Sequence, residues 1–379
     1  MPFNMLPPIL GGASEPAAPT FETTEWQLAA SVGDLHGGGI GSWSNVSNVL
    51  VENDSEASIA IAQDTSEILT VRDFNFSLPA GAILYGFDMQ MRWRCTRSDL
   101  LVVATDFIDD QPAFVSTIST RPPAPPAPSS SLRTDSLINT SNRPAVWFFD
   151  SSTPLADING TGVELYVRFT QPDTAGSSIF VAWIKARLKY LMPATGNTLV
   201  WSSQLAGAAS DQGGGDVAWT NPGNVTADDG SNAVCNVDKD ETCNLLRTDT
   251  YGHAIPSTAI PVGIVVDFEA NQQPMDFTDF TPVGVRDGSV THAIVSVGSV
   301  GREYQDWRMT SGGTFSQHAN GLFSVGSFDP TFIANFTPTI INSSGFGTDV
   351  QWAVDSGNFY QPPECQYDFF RTRVLYSSA

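Results

Sequence analysis

Side-chain catalysis needs a base, a nucleophile or a metal set within bonding reach. The four histidines, His36, His253, His292 and His318, stand far apart in the chain. None forms the His-x-x-x-His or His-Glu-x-x-His pair that presents two imidazoles to one zinc ion. No Gly-x-Ser-x-Gly turn offers a serine nucleophile, and no Gly-x-x-x-x-Gly-Lys-Ser/Thr loop offers a phosphate cradle. Carboxylates are plentiful. Asp109-Asp110, Asp228-Asp229 and Asp238-Lys239-Asp240-Glu241 could each lend oxygens to a hard cation. None has the Asp-x-Asp-x-Asp-Gly spacing of a loop calcium site, so solvated turns are expected, with Asp228 and Asp229 the weak metal candidates. Among nine tryptophans, Trp147 and Trp307, together with Tyr360, fall in expected loops and could stack on a glycan. The expectation is therefore no catalytic residues, no cofactor and no enzyme.

Composition narrows the partners. The 379 residues carry a net charge of −22 with a pI near 4.3, which opposes tracking of nucleic-acid phosphates and docking on anionic membranes. Only 15% of residues are charged, and Gly, Pro, Ser, Thr, Asn and Asp take up the difference, a mix that favours short strands and many turns. The start, MPFNMLPPILGG, lacks the basic region of a secretory signal. No apolar run approaches the ~18 residues that span a bilayer. Of four cysteines, Cys235 and Cys243 are near enough in sequence to staple a hairpin, while Cys95 and Cys365 stand apart. Neither Cys235 nor Cys243 has a counterpart in the repeat described next, so a bridge there is optional and its oxidation state stays open. Glycosylation sequons at Asn45, Asn159 and Asn224 arise readily in so Asn/Ser/Thr-rich a chain.

The elements that must position any site come in duplicate. GGGIGSWSNVSNVLVENDSEAS at residues 37–58 returns as GGGDVAWTNPGNVTADDGSNAV at 213–234. Aligning Trp43 with Trp219 gives a shift of 176, which also superposes Asn45 on Asn221, Asn48 on Asn224 and Ala57 on Ala233. The shift becomes 177 where Leu78-Pro79 meets Ile255-Pro256. It becomes 185 if Gly160 and Gly162 are set on Gly345 and Gly347, and 186 where Arg187 and Tyr190 meet Arg373 and Tyr376. A period this long means two whole domains. The matched tryptophans are expected to plug cores.

Each half reads as β. Phe87 to Cys95 alternates apolar and polar residues, as do Ile184 to Tyr190, Phe370 to Tyr376 and Val163 to Phe169. Lys185, Arg187, Lys189, Arg371, Arg373, Arg92 and Arg94 fall on the wet faces of these strands, where local carboxylates should pair them. The expected architecture is all-β: two tandem antiparallel β-sandwich, jelly-roll-like domains at 23–193 and 194–379, behind an extended arm at 1–22. The proline run Arg121 to Pro128 reads as a solvated loop or a strap. The arm is punctuated by prolines, and its apolar Phe3, Met5, Leu6, Ile9 and Leu10 are expected to dock on a neighbouring subunit.

The repeat resembles a β-sandwich repeat of tailed-bacteriophage structural proteins. The resemblance rests on Trp219-Thr220-Asn221-Pro222-Gly223-Asn224-Val225, the turn Asp229-Gly230, the stretch from Ile255-Pro256 to Ile264, and a last strand ending in Tyr376. The first copy departs from it, with Val46 for the proline and Asn53-Asp54 for Asp-Gly. The resemblance implies a virion component on the tail, neck or head surface. Its partners would be other virion proteins and copies of itself, and no catalytic residues come with it. The alternative is a carbohydrate-binding or adhesion module that reads host glycans through the loop aromatics.

Overall fold

Period-two alternation from Met89 to Cys95 calls for a strand with one buried face. In a computed structural model of the chain, Ile83–Cys95 is a 13-residue strand with Met89, Met91, Trp93 and Cys95 buried. The structure describes residues 17–35, 41–61, 66–96, 101–109, 131–137, 159, 163–170, 176–238, 241–273, 279–280, 284–293, 321–353 and 364–378. The proline run, the arm residues Phe3 to Leu10, and Trp147, Trp307 and Tyr360 lie outside the described residues.

Each half is built round one long central strand. Ser177–Met192 receives Thr20–Thr23, Gln27–Leu28 and Ala57–Ile61 along one edge and Ile83–Cys95 along the other, all antiparallel. Arg133–Leu137 extends this sheet beyond Ile83–Cys95. A second sheet, ordered Ser31–Leu35, Ile68–Arg72, Val163–Thr170, Leu101–Asp109, closes the first sandwich. In the second half, Glu364–Ser378 lies between Thr198–Leu205 and Ala233–Asn236 on one side and Ile260–Gln273 on the other. Gly321–Ser327 pairs beyond Ile260–Gln273. The facing sheet runs Ala208–Asp211, Leu246–Asp249, Phe346–Val350, Gly284–Asp287, Thr291–Ala293. The fold is all-β, two tandem antiparallel sandwiches, and among the described residues the helices are single turns such as Pro330–Ile333 and Pro338–Ile341.

The duplication extends to irregularities. In the first half the central strand is bulged at Ala182, between Val181 and Trp183, and its partner strand at Tyr85, opposite Lys189 and Tyr190. The second half breaks register at the same two places, so Trp93–Val181 corresponds to Ala270–Tyr367 and Gly86–Lys189 to Gly263–Leu375. Left-handed turns also recur at a shift of 177, Asp73 and Asn75 in one half and Thr250 and Gly252 in the other. One expected correspondence is corrected. Asn159 Oδ1 accepts from Leu78 N at 2.6 Å and its Nδ2 donates to Leu78 O at 3.1 Å. Asn342 clamps Ile255 in the same way, at 2.9 and 2.7 Å. The shift there is 342 − 159 = 183, not 185, which sets Gly162 on Gly345. Glycines recur every few residues and align ambiguously, whereas a side chain that satisfies both main-chain polar groups of one buried residue has a single register.

Each sandwich has its own core, from Ala29 to Leu188 and from Ala206 to Val374. A third cluster joins them. Leu191, with Ile83 and Tyr85 packed against it, meets Val262, Val265, Phe328 and Leu375, with Leu199 and Trp201 alongside. Tyr85 and Phe328 lie 5.5 Å apart between ring centres, and Trp201 meets Phe328 edge-on at 6.2 Å. Full burial of a ring like Phe328 contributes roughly 2–3 kcal/mol. Burial, with Asp88 nearby, also pushes the Tyr85 phenol up to about 12.

The basic side chains on the outer faces pair locally, but they are less wet than alternation implies. Arg92 meets Asp54 at 2.9 Å, Arg94 meets Glu56 at 2.6 Å and Lys185 meets Glu52 at 2.6 Å. Asp88, fully buried, takes both Arg187 and Lys189 at 2.8 Å. Asp267, 1% exposed, takes Arg371 and Arg373, and Arg373 is itself buried. Edge tryptophans cover these cations: the Arg187 guanidinium sits 4.7 Å from the Trp26 ring centre and that of Arg373 sits 5.5 Å from Trp201.

Candidate functional site

The doubled phrase folds into the same device twice. Asn45 and Asn221 take left-handed backbone, at φ 56 and 54, and each opens a 3-10 turn, Val46–Leu50 and Pro222–Val225. Asparagine tolerates that conformation better than most residues. Three residues on, Asn48 Nδ2 donates to Glu56 O at 2.9 Å, and Asn224 Nδ2 donates to Asn232 O at 3.0 Å. Val49 and Val225 are fully buried behind the turns. Trp43 and Trp219 are buried too, each donating its indole N–H to a carbonyl, Glu67 O at 2.9 Å and Asn244 O at 2.7 Å. The tryptophans are core plugs, not platforms. The sequons at Asn45, Asn159 and Asn224 are turn and clamp residues.

The second copy adds a carboxylate to this device. Asp211 accepts from Gly213 N, Trp219 N and Asn244 Nδ2 at 2.7, 2.8 and 3.1 Å. Burial raises its pKa, but these three donors outweigh burial and hold the carboxyl below its usual range.

After the turn, the copies part in charge. In the first, Glu52, Asp54 and Glu56 face Lys185, Arg92 and Arg94. In the second, the turn residue equivalent to Glu52 is Asp228, since 52 + 176 = 228. The carboxylates of Asp228, Glu269 and Asp368 bring oxygens within 4.8 Å of one another. Asp368 is buried and accepts from Gly230 N at 3.0 and 3.1 Å through its two oxygens. Asp229 plays a different part, accepting from Ser231 N at 2.9 Å within the turn. Of the two candidates named from sequence, Asp228 joins the cluster and Asp229 shapes the turn. Glu269 and Asp368 were not singled out in the sequence. The available signal was a reversal of sign in the duplicated strand, Arg92 becoming Glu269 at the shift of 177. Three converging hard oxygens suit a calcium-like cation, which takes 6–8 oxygen ligands and would draw the rest from water or main chain.

A second polar group sits inside the second sandwich. His253 Nδ1 lies 2.7 Å from Ser202 Oγ, and its Nε2 lies 2.8 Å from Thr372 Oγ1. Burial pushes the imidazole down to about 4, so it is neutral at pH 7. A serine beside a neutral imidazole has the outline of a nucleophile and base. Here the third partner is a hydroxyl, which cannot stabilise an imidazolium as a carboxylate does. The equivalent residues of the first half are Phe76, by 253 − 177, and Ala186, by 372 − 186, and both are buried in the core. The position is a core position, with a polar solution in one copy and an apolar one in the other.

Cys235 and Cys243 are disulfide-bonded, with Cα atoms 6.4 Å apart, and Cys95 and Cys365 are buried in the cores of the first and second sandwich. The acidic run beyond Cys235 begins as a turn, Glu241 accepting from Asp238 N at 2.8 Å.

Fold and site together define a tandem β-sandwich protein with an acidic turn and, among the described residues, no assembled catalytic set. No known protein family matches the chain, and no curated protein matches it. Solved structures similar to it include the tandem CBM22 domains of Xyn10C from Paenibacillus barcinonensis, at 7% identity and a TM-score of 0.27, covering 94% of this chain and 99% of that one. A truncated AlyQ with CBM32 and alginate lyase domains is similar at 9% identity and a TM-score of 0.21, covering 94% and 99%. The infectious bursal disease virus structure of the Gt strain is similar at 10% identity and a TM-score of 0.19, covering 96% and 75%. Similarity of this size carries no argument about activity.

Proposed function

We propose that the chain is a non-enzymatic structural protein of a phage virion, on its tail, neck or capsid surface. It assembles with other virion proteins and with copies of itself through its N-terminal arm and sandwich surfaces. The observation that supports this reading is where the polar groups go. The duplicated asparagines, the buried Asp–Arg sets and the Ser202–His253–Thr372 chain all serve the fold. The apolar junction around Phe328 joins the two sandwiches directly. A chain whose chemistry is spent on holding surfaces in place suits a building part.

Expression with the other proteins of a phage particle tests it. The full chain bands with particles in a density gradient. The chain lacking Met1 to Ala18 keeps its β-rich circular dichroism but stays at the top. Normal incorporation of the truncated chain, or absence of the full chain from particles, overturns the reading.

A further inference from the structure

Facing residues of an antiparallel ladder point to the same side, with Cα atoms ~4.5 or ~5.5 Å apart. In the first sandwich Ile59 faces Ile179, and both are buried in its core. Their equivalents in the second are Cys235 and Cys365, since 235 − 176 = 59 and 365 − 186 = 179. The register repeats with them, and Cys235 faces Cys365 where Ala233–Asn236 pairs with Glu364–Ser378. Two facing isoleucines in one copy are therefore two facing cysteines in the other.

Cys235 is bonded elsewhere. Its sulfur is joined to Cys243, eight residues on. Cys235, Cys243 and Cys365 are each at most 1% exposed and belong to one core cluster. Both spacings of facing residues fall inside the ~4.4–6.8 Å that a disulfide spans between Cα atoms. Cys235 thus has two cysteines within bonding reach, one along the chain and one across the ladder.

The segment around Cys243 does not depend on the bridge to hold its place. Thr242 O accepts from Asp216 N at 2.7 Å and from Val217 N at 3.2 Å, and Asn244 N donates to Val217 O at 2.7 Å. Asn244 O takes the Trp219 indole N–H, and Gln351 Nε2 donates to Cys243 O at 3.0 Å. A sulfur on a segment anchored in this way can leave without unfolding the turn that carries it.

We propose that Cys235 is a shared sulfur with two alternative partners, and that Cys365 exchanges with Cys243 for it. The Cys365 thiol gives up its proton, and the thiolate attacks Cys235 Sγ. The Cys365–Cys235 bond forms as the Cys235–Cys243 bond breaks, and Cys243 leaves as a thiolate that takes up a proton. No electrons enter or leave, so no oxidant is consumed. The exchange replaces a bridge between residues eight apart with one between residues 365 − 235 = 130 apart, and it pins Ala233–Asn236 to the central strand. The longer closed loop constrains the unfolded chain more. The inference concerns the second sandwich alone and stands or falls independently of the virion reading.

Peptide mapping of the full chain tests it. The chain is held at pH 6 and at pH 8, trapped in acid, alkylated and digested. The peptide pair joined by Cys235–Cys365 should appear with an equal amount of alkylated Cys243, and at least about tenfold faster at pH 8, because the thiolate is the attacking species. In a C243S chain treated with oxidised glutathione, Cys235 and Cys365 should bridge, each bridge releasing two reduced glutathiones. A C243S/C365S chain should instead keep glutathione on Cys235. Absence of the Cys235–Cys365 pair from the full chain overturns the proposal, and its absence from a C243S chain that keeps its β-rich circular dichroism does so too. The full chain decides alone if C243S fails to fold. A Cys243–Cys365 pair, or bridges that form between chains and run as dimers on a non-reducing gel, also overturns it.

Discussion

Glu269 stands in the second sandwich where Arg92 stands in the first. Each immediately precedes one member of an equivalent pair, Ala270–Tyr367 in one half and Trp93–Val181 in the other. Duplication kept the backbone and reversed the charge. In one copy Arg92 answers Asp54 at 2.9 Å; in the other Glu269 joins Asp228 and Asp368.

Returning the charge should therefore stabilise the second sandwich. Glu269→Arg replaces mutual repulsion with an ion pair at a partly exposed site, worth about 1 kcal/mol. Thermal melts in chelator check this, with a raised Tm expected; an unchanged or lowered Tm contradicts it.

The buried Asp–Arg sets predict an unequal pair of losses. Asp267→Asn leaves Arg373, whose side chain is 8% exposed, without its anion and should cost about 3 kcal/mol. Asp88→Asn removes an anion from Arg187 and Lys189, whose side chains are 26% and 11% exposed, both more than Arg373, so the loss should be smaller. Urea denaturation of the two variants ranks them.

His253 predicts a pH slope. Its folded pKa lies near 4, below the ~6.5 of an unfolded histidine, so the unfolded chain binds the extra proton between those values. The contribution of this group is full above pH ~6.5 and is lost as pH falls toward ~4, by about 3 kcal/mol in all. H253F/T372A, which copies Phe76 and Ala186, should flatten that part of the slope. Urea midpoints measured across the window report it, and an unchanged slope in the double variant counts against the assignment.

The asparagine clamps should be costly to remove in either half. Asn342→Ala frees both polar groups of Ile255 and should cost about 2 kcal/mol, and Asn159→Ala should act likewise on Leu78. Matching losses in denaturation experiments would confirm the corrected register, and a neutral Asn159→Ala would refute it.

Two equivalent glycines should behave differently. A Cβ on Gly263 would meet the Phe328 ring at 2.3 Å, while one on Gly86 would find only Lys189 side-chain carbons, at 3.8 Å and beyond. Gly263→Ala should cost about 2 kcal/mol by forcing the junction apart, with Gly86→Ala near neutral. Chemical denaturation of both variants decides it.

Much of the fold was legible because its signals are local. Alternation marked Phe87 to Cys95 within Ile83–Cys95 and a stretch of each central strand, and the repeated Trp-x-Asn spacing identified Trp43 and Trp219 as equivalent plugs. The glycine match at 160 and 345 misled, since glycine marks a turn without marking its partner. The wet-face reading of Arg373 failed because alternation reports the two faces of a strand and not what covers the second face. Glu269 and Asp368 could not be chosen from among 40 acidic residues by type alone.

The sequence by itself determined the all-β class, the duplication and the identity of the turn residues, because strand period and turn chemistry are set by neighbours a few residues apart. Only the tertiary structure decided which carboxylates meet and which cations are buried. Gly230 and Asp368 touch across 138 residues, and Arg373 and Asp267 across 106. Such contacts follow from strand order and from bulges that displace one residue in the ladder, and neither leaves a periodic mark on the chain.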